Sequence, residues 1–135
     1  MIIHSRAKQL ENGPIWDFLG ASIQYAQDGE SMVEMNVMDK VKQMYGTVHG
    51  GILGTLIDMA MASAVASTMS EEENAVTVDL SLHYLSAAKE GKLIGKGKVI
   101  KRGKRMAFLE ATIYSDDRLL VTGSASFMII QKEKK

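Results

Sequence analysis

The stretch Gln43–Ser70 reads Q-M-Y-G-T-V-H-G-G-I-L-G-T-L-I-D-M-A-M-A-S-A-V-A-S-T-M-S, and Asp58 is its only charged residue. The rest is small, apolar or weakly polar, with a His49-Gly50-Gly51 turn standing before an expected helix over roughly Gly51 to Ser70. A carboxylate set among Leu, Ile, Met and Ala costs stability unless it is paired, hydrogen-bonded or protonated. A chain that carries one there usually has a use for it. Gly50 to Met69 is long enough to span a bilayer, but it is rich in Gly, Ala, Ser and Thr, and a central Asp costs roughly 2.5–3.5 kcal/mol on insertion scales. The surrounding amphipathic strands would also lose their only core. A buried helix in a soluble fold is therefore expected, with no membrane partner.

Outward from the helix, the pattern is strand. Before it, Ala21–Ala26 and Ser31–Val37 are separated by Q-D-G-E, a hairpin signal, and Ser31–Val37 alternates with a period of two. Pro14 opens a short helical turn, P-I-W-D-F-L-G, and residues Asp39 to Val48 form a connection. After the helix, Glu71-Glu72-Glu73-Asn74 reads as a solvated boundary. The next strand is expected to place Val76, Val78, Leu80, Leu82 and Tyr84 on one face, and Thr77, Asp79, Ser81 and His83 on the other. Lys92–Lys101 and Met106–Ser115 follow, joined by R-G-K-R, and Leu119–Ile130 is the last strand. The order is β-β-α-β-β-β-β. An antiparallel sheet normally buries one face, and the only helix long enough to fill it is the apolar one, so the sheet should wrap the helix.

The whole chain narrows the chemistry. Its 135 residues fit one domain, residues 1–135, large enough for a core without staples. The 16 Lys and Arg balance the 16 Asp and Glu, so no overall field recruits nucleic acid. With no cysteine there is no thiol nucleophile, disulfide or thiolate metal site, and the three scattered histidines give no metal-binding pattern. The start, M-I-I-H-S-R-A-K-Q-L, lacks the apolar run of a signal peptide, so the cytoplasm is the default location.

Gly50 and Gly51 leave backbone N–H groups unshielded at the positive end of the helix, where an anion or developing oxyanion is favoured. Asp58 lies about two turns further in, roughly 12 Å along the axis. Donor and base must both come within ~3 Å of one reacting carbonyl group, so the two cannot easily serve the same one. If both are catalytic, a second chain supplies one of them, which implies a homodimer with its sites at the interface.

The runs Y-G-T-V-H-G-G-I-L-G-T-L-I-D-M-A, V-T-V-D-L-S-L-H-Y-L-S and K-R-G-K-R-M-A-F-L resemble hotdog-fold acyl-CoA thioesterases. The resemblance spans Phe18 to Ile130 and is nearest to the branch of the phenylacetate-degradation thioesterase. It implies an α+β hotdog fold, a homodimer or homotetramer, and hydrolysis of an acyl- or aryl-CoA thioester. Coenzyme A enters as part of the substrate, with no separate cofactor.

By the same resemblance, Gly50 donates its N–H to the thioester carbonyl and Asp58 of the partner subunit is base or nucleophile, while His49 holds the turn. Gln43 stands where relatives carry Asn, and Thr77 where some carry Ser; both keep a hydrogen-bonding group. On its own residues alone, Gln43 reads as a loop side chain. Thr77 and His83 read equally as exposed strand polarity or as the edge of an acyl or pantetheine channel. Arg102, Gly103, Lys104 and Arg105 form a basic turn that is ordinarily just solvated. Coenzyme A brings phosphates that such groups and an open glycine backbone bind well. Two other readings share the fold: a dehydratase or hydratase, which would need a different His–acid spacing and a proline-rich motif, and a non-catalytic acyl-CoA sensor.

Overall fold

The sheet has six strands, all paired antiparallel, in the order β1-β2-β4-β5-β6-β3. In chain order the strands are β1 (Ser22–Gln27), β2 (Glu30–Asn36), β3 (Glu73–Tyr84), β4 (Lys92–Arg102), β5 (Met106–Ser115) and β6 (Arg118–Gln131). Three helices join them: α1 (Ser5–Lys8), α2 (Pro14–Leu19) and the long α3 (Gly50–Ala66). The computed structural model describes residues 2–132. The order and the sheet curled about one long helix are those expected of an α+β hotdog fold.

Local chemistry explains the elements. The β1–β2 turn places Asp28 at φ 52° and Gly29 at φ 81°, the left-handed pair that matches strand twist in a two-residue hairpin. Pro14 sits in the first turn of α2, where its missing N–H costs nothing, and Gly20 ends that helix at φ 64°. Along α3, Leu56, Ile57, Ala60, Met61 and Ala64 are fully buried against the sheet. A Cβ on Gly97 would lie 2.3 Å from the Ala60 carbonyl oxygen, so glycine is what allows β4 to pass this close to the helix.

From Leu53 to Ala66 the only positions left unburied are Thr55, Asp58 and Ala62. Their spacing makes a single stripe on one helix face. That stripe runs beside β3, which ends the sheet and whose outer edge has no strand partner among the described residues.

Three local expectations are corrected. The helix stops at Ala66 rather than Ser70, because the Ser67 and Thr68 hydroxyls donate to the carbonyls of Ala64 and Val65, each at 2.6 Å, and the chain leaves the helix there. Glu73 and Asn74 are not a solvated boundary. Glu73 opens β3 and accepts from Arg102 at 2.9 Å, and the Asn74 amide oxygen accepts from Arg6 at 3.0 Å. The N-terminal residues fold as α1 plus a 3-10 turn over Gln9–Asn12, closing one end of the core.

The third correction concerns β3. A bulge falls between Thr77 and Asp79, so that these residues pair with the adjacent Phe127 and Ser126. The extra residue, Val78, breaks the alternation. Ala75 and Thr77 therefore join Leu80, Leu82 and Tyr84 on the face toward α3, whereas Asp79, Ser81 and His83 face away. Thr77 and His83 do not share a face.

Candidate active site

β3 runs antiparallel to α3, and side chains tie the two together at successive levels. At the mouth of the helix the Tyr84 hydroxyl donates to the Gly50 carbonyl at 2.8 Å. One turn on, Leu82 lies against Gly54, where a Cβ would come within 2.9 Å of its Cδ1. Two turns in, the Thr77 hydroxyl donates to Asp58 Oδ1 at 2.8 Å.

The turn before the helix is braced from several sides. His49 is the N-cap, and its Nδ1 accepts the Gly51 N–H at 3.1 Å, which leaves the ring proton on Nε2. Its backbone N–H donates to the Val41 carbonyl at 2.9 Å. Gln43 clasps Thr47 twice, through its backbone N–H and through Nε2, both at 2.8 Å. The Gly51 N–H is thus spent on His49, while the Gly50 N–H has no partner among the described residues. It is the one free donor of the turn, at the positive end of a 17-residue helix.

Asp58 is half-buried on the open stripe of α3. Burial among apolar neighbours raises its carboxyl above the ordinary value, and the Thr77 hydrogen bond pulls the other way. A carboxylate so placed is a better base near neutrality than a fully solvated one. It lies eight residues from Gly50, roughly 12 Å along the same axis, so the two cannot meet on one carbonyl within a single chain.

The remaining predicted residues are dispersed. His83 is exposed on the far face of the sheet, opposite Thr122 of β6 and away from Asp58. Arg102 is half-buried, and its donors are engaged by Glu73, by Thr68 at 3.1 Å and by the Gly103 carbonyl. Lys104 and Arg105 are exposed at the β4–β5 turn. That turn lies at the Glu73 end of β3, because Met106 pairs with Met128, which pairs with Val76. Tyr84 and Gly50 lie at the other end, roughly 26 Å away at ~3.3 Å per residue. Tyr84 was not singled out as a site residue; its place on the helix-facing row of β3 was the available signal. Among the described residues, no group of three or more His, Asp or Glu side chains could hold a metal ion, and no helix is long and apolar enough to cross a membrane.

The family pattern described as the thioesterase superfamily matches residues 45–122, which include the turn, α3 and β3. The chain belongs to this superfamily. It is 32% identical over 101 residues to human acyl-coenzyme A thioesterase 13, covering 73% of this chain and 71% of that one. It is 23% identical over 117 residues to the 1,4-dihydroxy-2-naphthoyl-CoA hydrolase of Listeria monocytogenes, covering 87% and 95%. Among solved structures, a thioesterase family protein from Silicibacter pomeroyi superposes with a TM-score of 0.90 at 26% identity, covering 94% of this chain and 97% of that one.

Proposed function

We propose that the protein hydrolyses acyl-CoA thioesters at two equivalent sites, each built from both chains of a homodimer. The observation that carries this reading is the division of the machinery along α3. A free Gly50 N–H and an Asp58 carboxyl of raised pKa lie on one helix, too far apart to act together, beside a strand edge with no partner among the described residues. Val78 and Tyr84 of that strand are 53% and 52% exposed. A long apolar edge of this kind recruits a second strand, and a two-fold axis perpendicular to β3, crossing it between the Thr77 and Tyr84 levels, sets the Asp58 of one chain against the Gly50 turn of the other. The far face of the sheet leaves Phe108, Met128 and Ile130 exposed, a surface on which two dimers stack as a tetramer.

The Gly50 N–H donates to the thioester carbonyl oxygen and stabilises the negative charge that builds there. Asp58 of the other chain takes a proton from water as the water oxygen attacks the carbonyl carbon. The tetrahedral intermediate collapses, the C–S bond breaks, and the Asp58 proton passes to the departing thiolate. The alternative within this reading is direct attack by the same carboxylate on the carbonyl carbon, which expels the coenzyme A thiolate and leaves an anhydride that water then opens. Thr77 holds the carboxylate in place, while His49, Gln43 and Tyr84 hold the turn. With Arg102 engaged internally and the Gly103 N–H spent on the Met106 carbonyl at 2.7 Å, Lys104 and Arg105 are left to meet the phosphates of coenzyme A.

Thiol release from a panel of short, long and aromatic acyl-CoAs tests this reading directly. Turnover that is lost in Asp58→Asn supports it. Binding of acyl-CoA without thiol release instead identifies an acyl-CoA sensor.

A further inference from the structure

The groove between α3 and β3 does not stop at Asp58. One helical turn beyond the Asp58–Thr77 level lies a cavity of about 410 Å3, which neither of those two residues lines, within the range of ~300–1,000 Å3 typical of ligand sites. Ala62, Ala66 and Met69 line it from the helix side and Ala75 from β3. Ala62 lies one turn past Asp58 on the same stripe, and Ala75 lies two residues before Thr77 on the same strand face. From Ala62 the helix-side wall follows α3 to its last residue, Ala66, and continues to Met69 just beyond it, and no aromatic side chain lines the cavity.

Leu10 and Arg6 close the far end. Arg6 is 5% exposed, and its guanidinium donates to Gln9 at 3.1 Å, to Asn74 at 3.0 Å, and to the carbonyls of Glu73 and Ser70. These bonds occupy Arg6 in clamping the N-terminal segment to the start of β3, so the surface offered to an occupant is largely apolar. The segment that forms this floor lies outside residues 45–122, the part matched by the superfamily pattern.

We propose that this cavity receives the acyl chain, and that the N-terminal segment, through Leu10, sets the chain length accepted, which makes medium-length straight aliphatic acyl groups the preferred substrates. The inference rests on the thioesterase reading. The thioester carbon sits beside Asp58, the acyl chain runs from there between α3 and β3 of the same subunit, and the coenzyme A portion leaves past the partner's Gly50 turn. Buried apolar contact along the walls supplies the selectivity.

The test measures kcat/KM for straight-chain acyl-CoAs from acetyl to palmitoyl, and for benzoyl-CoA, in three forms of the full chain. The wild type should peak at medium length. Ala62→Phe, which plugs the cavity mouth, should lower the ratio of medium-chain to acetyl turnover about tenfold. Leu10→Ala, which removes the floor, should move the optimum to longer chains. Leu10→Ala carries the test alone if Ala62→Phe does not fold. A wild type that hydrolyses acyl-CoAs while Leu10→Ala leaves its length profile unmoved overturns the acyl-site assignment and leaves the thioesterase reading standing, as does a wild type fastest on benzoyl-CoA. A wild type that hydrolyses none overturns both.

Discussion

At the residue scale, the account turns on what surrounds Asp58. Its pKa is raised chiefly by burial and opposed by Thr77, which fixes the signs of two predictions. The base must be ionised, so kcat/KM should rise with pH through an apparent pKa above the ordinary Asp value of ~3.9. Thr77→Val removes the one interaction that lowers this pKa, so its acid limb should move to higher pH and its turnover at neutral pH should fall. Stability runs the other way. A carboxyl whose folded pKa exceeds its unfolded value binds more protons when folded, so stability is lost as pH rises from the unfolded pKa through the folded one. Asp58→Asn should therefore abolish most hydrolysis while leaving the melting temperature at pH 7 to 8 unchanged or higher. Gly50 permits an equally direct test. His49 sits at φ −60° and ψ 134°, the conformation favoured before proline, and the first helical position tolerates proline. Gly50→Pro removes the N–H and should lose most of kcat. Gly50→Ala keeps the N–H and brings the same Cβ to 3.3 Å from the Tyr84 ring, so it should retain clearly more activity than the proline variant.

At the element scale, α3 and β3 act as a pair, and the closeness of the sheet to the helix has a measurable consequence. Gly97→Ala drives a Cβ into the Ala60 carbonyl, with 2.3 Å available; thermal unfolding should show a loss of at least ~1–3 kcal/mol, the usual cost of overpacking. Much of this scale was legible in the sequence. Period-two runs, the Asp28-Gly29 turn and the lone long apolar helix led to the order of elements along the chain and to the sheet around α3. The bulge at Val78 was not legible, since a single extra residue leaves no mark in an alternating run, and it decides that Thr77 faces Asp58 while His83 does not. Glu73 and Arg102 depart from expectation for a related reason. Each looks like surface charge in sequence, and the two partners lie 29 residues apart. The roles of Gly50, Asp58 and Thr77 came from the motif and its resemblance. The cavity beyond Asp58 could not be read at all, because its floor comes from a segment far from α3 in sequence.

At the scale of the whole molecule, the proposed division of the site between two chains answers the separation of Gly50 from Asp58 along α3. One chain alone has a donor without a base on one side of the helix stripe and a base without a donor two turns away. A charge placed on the open edge should separate the two halves: Val78→Lys is expected to lower the apparent mass in sedimentation to that of one chain and to remove thioesterase activity with it. The most direct measurement mixes two inactive variants. Asp58→Asn and Gly50→Pro are co-expressed with different affinity tags, and the doubly tagged dimer is purified and assayed for thiol release. In that dimer the intact Gly50 of one chain faces the intact Asp58 of the other, while the second site carries both defects. The mixed dimer should recover about half of wild-type turnover per dimer, one site in two. A mixed dimer as inactive as its parents would place Gly50 and Asp58 in separate sites and contradict the shared active site.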